Sequence, residues 1–172
     1  MDHNSRDFDD ALAAYEHDRG APDVGTEPPV EPIGPDDPRY VIDTWEKCLW
    51  ALERQISIAE QHGSTVKLTF QTQDSTRLQT VIVNPDRNSE DELFYHVSSA
   101  IGESNFVDSV GIAQEVEKLV LGDLRIVNNR LVIHQCYRAR NLPFARLERG
   151  IKFAARTADW LEATFSEGLD EF

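Results

Sequence analysis

Hydrophobic positions switch between two periods along this chain, and the switches mark its elements. Trp45, Leu49, Leu52, Ile56 and Ala59 recur at alternating spacings of four and three, the stripe of a helix of about five turns. Asp43, with Glu46 three residues on, opens that helix in the manner of a capping box, and Gly63 stands where a C′ glycine closes one. The period then drops to two. Val66, Leu68 and Phe70 alternate with polar neighbours, Gln73-Asp74-Ser75-Thr76 turns the chain, and residues 78–83 return as a second strand. Asn84-Pro85-Asp86-Arg87-Asn88-Ser89 has turn chemistry. Residues 93–101 form a third strand on the strength of Phe94, Tyr95 and Val97, ending at Gly102. Phe106, Val110, Ala113, Val116 and Val120 then suit a helix, with Gly111 as its weak point.

The best-specified piece follows. Residues 124–127 and 130–133 flank Asn128-Asn129, a two-residue loop whose asparagines tolerate positive φ, so a type I′ hairpin is expected. In that register Ile126 faces Leu131 and Leu124 faces Ile133, which makes one face aliphatic and places Val127 opposite Arg130 on the other. A slip of one residue would bring arginine into the core, so the register is strongly specified. Pro143 then sits near the first turn of a last helix, where its missing N–H is harmless. Phe144, Leu147, Ile151, Ala154, Ala158, Leu161 and Phe165 run at a 3-4-3-4 spacing through about six turns. The pattern as a whole is α+β, in the order α-β-β-β-α-β-β-α. It predicts a five-stranded antiparallel sheet whose oily face is covered by the first and last helices, within one domain over 41–166.

Composition changes this picture at one end. The chain has 172 residues and a formal net charge of −14, but the charge is uneven. Residues 1–40 hold 11 acidic and 3 basic residues, a net of −8, leaving −6 for the rest. Six of the eight prolines, Pro22, Pro28, Pro29, Pro32, Pro35 and Pro38, also fall there. Too little apolar area is available to offset the entropy of ordering, so 1–40 is expected to be a disordered acidic, proline-rich tail. Acidity from salt adaptation would spread over the whole surface instead. Within the tail, Phe8, Leu12 and Tyr15 at i, i+4, i+7 would share one face of a short helix over 7–17, with Asp7, Asp9 and Asp10 near its N-terminus. Two readings stand for it: a recognition segment that orders on a partner, or three apolar residues with no such role. Residues 167–172 read as a frayed end.

Residues 121–165, LGDLRIVNNRLVIHQCYRARNLPFARLERGIKFAARTADWLEATF, resemble the C-terminal part of YbjN-like proteins, which share the fold of type III secretion chaperones. The likeness lies in the hairpin, the short crossing and the long helix with its late Ala158-Asp159-Trp160-Leu161 segment, and the element order of 41–165 is also similar. The resemblance implies a non-enzymatic cytoplasmic protein, a homodimer that holds or regulates protein partners. The acidic tail has no counterpart in that family's core, and no particular client is implied.

Chemical motifs are sparse. Gly102, Gly111 and Gly122 stand singly and build no phosphate-binding loop. Cys48 and Cys136 form neither a CxxC nor a disulfide framework. His134 and Cys136, two apart on a strand, point to one face, but a structural zinc needs four ligands and no matching pair lies near in sequence. Tyr95 and His96 read as sheet residues, and Ser98 and Ser99 lack the glycines of a nucleophile elbow. No catalytic residue, metal or cofactor is expected. No apolar run approaches the roughly 18–20 residues that span a bilayer. The first seven residues lack the basic and apolar regions of a secretory signal, so the expected location is cytoplasmic.

Two surface features remain. Trp45 and Trp50 cannot both point inward from one helical stripe, and Trp160 lies off the stripe of the last helix. With Phe8, Leu12 and Tyr15 they are the candidate partner-binding residues, because aromatics are enriched in interface cores. Between 124 and 160, eight basic residues (Arg125, Arg130, Arg138, Arg140, Arg146, Arg149, Lys152, Arg156) meet only Glu148 and Asp159. Of these, Arg138, Arg140, Arg146 and Arg149 are the candidates for docking an anionic partner or the acidic tail. The first expectation is therefore a chaperone-like or regulatory adaptor that binds a protein. The alternative is a nucleic-acid-linked regulator that uses the arginine-rich 125–156 region and is autoinhibited by the tail.

Overall fold

A computed structural model describes residues 33–71, 78–119 and 122–165. Phe8, Leu12, Tyr15, the Gln73–Thr76 turn and residues 167–172 lie outside the described residues. The folded body reaches back to Ile33 rather than beginning at 41. Tyr40 and Ile42 are buried, and Asp37 closes a turn by accepting from Tyr40 N at 2.9 Å.

The protein is α+β, with three helices and one six-stranded antiparallel sheet in the order β1-β2-β3-β4-β6-β5 among the described residues. The elements are α1 (Trp45–Gln55), β1 (Ile58–His62), β2 (Thr65–Gln71), β3 (Leu78–Arg87), β4 (Leu93–Glu103), α2 (Ser109–Val116), β5 (Asp123–Val127), β6 (Arg130–Arg138) and α3 (Phe144–Phe165).

The sixth strand is the main correction to the sequence pattern. The first helix has 11 residues, and its N-cap is Thr44, whose side chain accepts from Lys47 N, while Asp43 pairs with Lys47 Nζ at 2.7 Å. The helix ends where Ile56 turns extended at φ −135. Ile58–His62, expected as its last turns, instead pairs with β2. Gly63 explains the misreading: a left-handed glycine closes a helix, but at φ +59 it equally opens the Gly63-Ser64 hairpin loop. A second correction concerns 84–89. β3 runs on through Pro85 to Arg87, opposite β4, and the turn moves to 88–92, where Asn88 Oδ1 accepts from Glu90 N and Glu92 N. The ladder from β3 to β2 ends at Val83, so proline sits where β3 is a free edge and no N–H is owed to a neighbour. A third concerns α2. Its buried residues are Ile112 and Val116, while Phe106 and Val110, expected on the inner face, are exposed. Phe106 precedes the helix in a turn, its N–H donating to Glu103 O, and Asp108 is the N-cap.

The hairpin and the last helix follow the pattern. Asn128 and Asn129 adopt φ 49 and 63, and Leu124 faces Ile133 while Ile126 faces Leu131. The aliphatic face is only half used, however: Leu131 and Ile133 are buried but Ile126, on the outermost strand, is 67% exposed.

The core lies between α3 and one face of the sheet. Val66, Leu68, Val81, Val83, Tyr95, Val97 and Ile133 alternate inward along four strands and pack with Phe144, Leu147, Ile151, Ala154, Ala158 and Leu161. Tyr95 donates its hydroxyl to Ile42 O at 3.0 Å within this core. The entry to α3 is tied to the start of the domain: Ile42 N donates to Leu142 O and Phe144 N to Tyr40 O, around a bridge between Val41 and Pro143.

α3 comes close to β6 at Gly150. A Cβ there would overlap the Tyr137 hydroxyl and lie 2.6 Å from its Cζ and 2.8 Å from Gln135 Oε1. Gly150→Ala therefore sets a gain in helix propensity of about 1 kcal/mol against an overpacking cost of about 1–3 kcal/mol. The clash is with the Tyr137 ring and the buried Gln135 amide, so the variant is expected to be less stable, seen as a lower urea midpoint with an unchanged slope.

Candidate functional site

The tryptophans among the candidate partner-binding residues lie apart. Trp45 and Trp50, five apart on α1, point about 140° away from each other. Trp45 is partly buried against the core, with its ring 5.9 Å from that of Tyr95. Trp50 is 41% exposed, lies 5.6 Å from the Tyr40 ring and has the Arg54 guanidinium over its face at 5.6 Å. Trp160 is 47% exposed on the outer side of α3.

The arginines divide differently. Arg138, at the end of β6, is held by Glu92 and is not free for a partner. Arg140 is exposed in the turn before α3, and Arg146 and Arg149 are exposed on α3 itself. Arg156, outside the predicted docking set, joins them. Arg146, Arg149, Arg156 and Trp160 follow steps of three, seven and four, which gathers them within about a quarter of the helix circumference. Phe153, half-buried and seven residues before Trp160, lies inside the same wedge. The two aromatics thus form a short apolar seam flanked by arginines, over about 21 Å of helix from 146 to 160. Lys152 at the margin is paired with Glu148 at 2.6 Å. Among the described residues no carboxylate pairs with Arg140, Arg146, Arg149 or Arg156. Phe153 was missed because the inward stripe of α3 already accounts for its apolar period. The signal that finds it is the i, i+7 relation to Trp160 on the opposite side.

A polar chain lies on the face of the sheet turned away from the core. Asp123 on β5, His134 on β6 and His96 on β4 are linked in that order: His134 Nδ1 to Asp123 Oδ1 at 2.8 Å, and His96 Nδ1 to His134 Nε2 at 2.9 Å. Arg125 Nε donates to the other Asp123 oxygen at 3.0 Å, and Asp86 Oδ2 lies 3.8 Å from His96 Nε2. Burial works to raise the Asp123 pKa, but the hydrogen bonds from His134 and Arg125 hold it below the usual carboxylate value. Burial, with His134 beside it, lowers that of His96. Cys136, directly opposite His96, is exposed, yet burial of its sulfur raises the thiol pKa, and burial raises that of Cys48 much further. Neither thiol is an activated nucleophile. Among the described residues no three His, Cys, Asp or Glu side chains are arranged to hold a metal ion, and no helix is long and apolar enough to cross a membrane.

Compared with known proteins, the chain matches no family model and no curated protein.

The depressed His96 pKa has a consequence for stability. Below about pH 6.5 the unfolded chain binds a proton at this residue that the folded chain binds less readily. The contribution is present above that pH and is lost as pH falls through the folded value. The urea midpoint is expected to drop between pH 7.5 and 5.5, and to drop less in His96→Gln.

Proposed function

We propose that this protein is a non-enzymatic binding module, chaperone-like or adaptor in character, that takes an acidic, amphipathic protein segment along the outer side of α3. The observation that carries the reading is the stripe of Arg146, Arg149, Arg156, Phe153 and Trp160. An apolar seam flanked by guanidinium groups complements a helix with a few large apolar residues bordered by carboxylates, the helix-on-surface mode of peptide recognition. Arginine suits this role because its planar fork pairs bidentately with carboxylates and its stem covers apolar surface. A half-exposed tryptophan such as Trp160 is the kind of side chain that dominates binding energy.

Charge favours a protein segment over nucleic acid. A protein of net charge −14 repels an extended polyanion beyond the few residues of the stripe, whereas a short acidic segment meets only the stripe itself. The resemblance to YbjN-like proteins and type III secretion chaperones is in keeping with this reading, and the homodimer it implies belongs to the same proposal. The cytoplasmic location is part of it as well.

The test uses the full-length chain and a synthetic amphipathic peptide of about 15 residues with glutamates bordering a leucine and phenylalanine seam. Binding by fluorescence anisotropy is expected at 50 mM salt and should weaken at 300 mM. Trp160→Ala is expected to weaken it about tenfold or more, and Arg146→Glu combined with Arg149→Glu and Arg156→Glu should abolish it, with the urea midpoint little changed. A 20-nucleotide single strand is expected to bind more weakly than the peptide. Failure to bind the peptide at low salt, or tighter binding of the oligonucleotide, would overturn the proposal.

A further inference from the structure

The chain Asp123–His134–His96–Asp86 is bracketed by a carboxylate at each end, and its donors and acceptors can be counted. Asp123 accepts from Nδ1–H of His134, so the buried ring has its hydrogen on that nitrogen. A single hydrogen occupies the 2.9 Å contact between His134 Nε2 and His96 Nδ1. With both rings neutral that hydrogen belongs to His96, whose Nε2 is then a bare lone pair facing the Asp86 carboxylate 3.8 Å away. Two acceptors then face each other at the surface.

One added proton resolves this. Placed on His96 Nε2 it points at Asp86, and every other hydrogen bond in the chain is kept. Moving the shared hydrogen across to His134 Nε2 gives a second arrangement of the same charge, also fully satisfied.

We propose that the face of the sheet turned away from the core carries a proton switch, in which uptake of one proton at His96 turns its Nε2 from an acceptor into a donor toward Asp86. The charged and titratable groups that face it are Asp86 from β3, His134 and Cys136 from β6, and Asp123 and Arg125 from β5. Further along the same face Arg138 is engaged with Glu92, and Lys67 with Glu60. The burial that lowers the basicity of His96 sets uptake below the ordinary histidine value. Above the midpoint the face offers two acceptors to whatever lies against it. Below the midpoint those acceptors are bonded to each other and the face is one charge more positive. The switch is independent of the stripe on α3, since it shares no residue with it.

Long-range ¹H–¹⁵N spectra of the full-length chain, ¹⁵N-labelled at histidine, read the tautomers directly between pH 8 and 5. At pH 8 both His96 and His134 are expected as Nδ1–H tautomers, the less common form for a solvated ring, assigned through His96→Gln and His134→Gln. On acidification the ring nitrogens of His96 are expected to move with a midpoint below the ordinary histidine value. Asp86→Asn should lower that midpoint and leave the pH 8 tautomers unchanged. Nε2–H tautomers at pH 8, or a His96 midpoint unaffected by Asp86→Asn, would each overturn the proposal.

Discussion

The pairing of β4 with β6 is the constraint from which both the core and the surface follow. In this ladder Phe94 opposes Arg138, His96 opposes Cys136, Ser98 opposes His134 and Ala100 opposes Val132, with a bulge before Gly102. The same register turns Tyr95, Val97, Ser99, Ile133 and Gln135 inward. Because side chains alternate with a period of two, a slip of β4 by one residue would drive His96 into the core and put Tyr95 and Val97 outside, away from His134. Apolar burial on the inner face therefore fixes the 2.9 Å approach of the two imidazoles on the outer one. The polar chain is arranged by forces that act on the other side of the sheet.

How much of this was legible in the sequence depends on whether one residue type has one structural meaning. The hairpin was readable because Asn128-Asn129 has few alternatives and its flanking strands agree on a face. The last helix was readable because its stripe repeats over 22 residues. Gly63 and Pro85 misled for the opposite reason. A left-handed glycine serves a helix end and a hairpin equally well, and a proline that usually breaks a strand is harmless on a free edge. The expected inner face of α2 failed because Phe106 belongs to the preceding turn, so the apolar period was counted from a residue outside the helix.

The candidate sites were legible only in part. Arg146, Arg149 and Trp160 were visible as types and positions, but grouping them with Arg156 and Phe153 required knowing which side of α3 faces the sheet. Arg138 looked equivalent to its neighbours in sequence and is distinguished only by Glu92, 46 residues away. The histidine chain draws on three strands, so His96, Asp123 and His134 carry no local signature. Only the sheet order β4-β6-β5 brings them into line.

The clasp between Tyr40–Ile42 and Leu142–Phe144 joins stretches about 100 positions apart through two backbone hydrogen bonds. The entropy lost in closing so long a loop rises only logarithmically with its length, so the clasp is thermodynamically modest. Its effect falls on the order of events. During synthesis the first helix emerges long before the entry to α3 that holds its approach, and it stays unfastened until that entry has been made. The segment that leads into the domain is thus secured only once the start of α3 is in place, about 100 residues later in the chain.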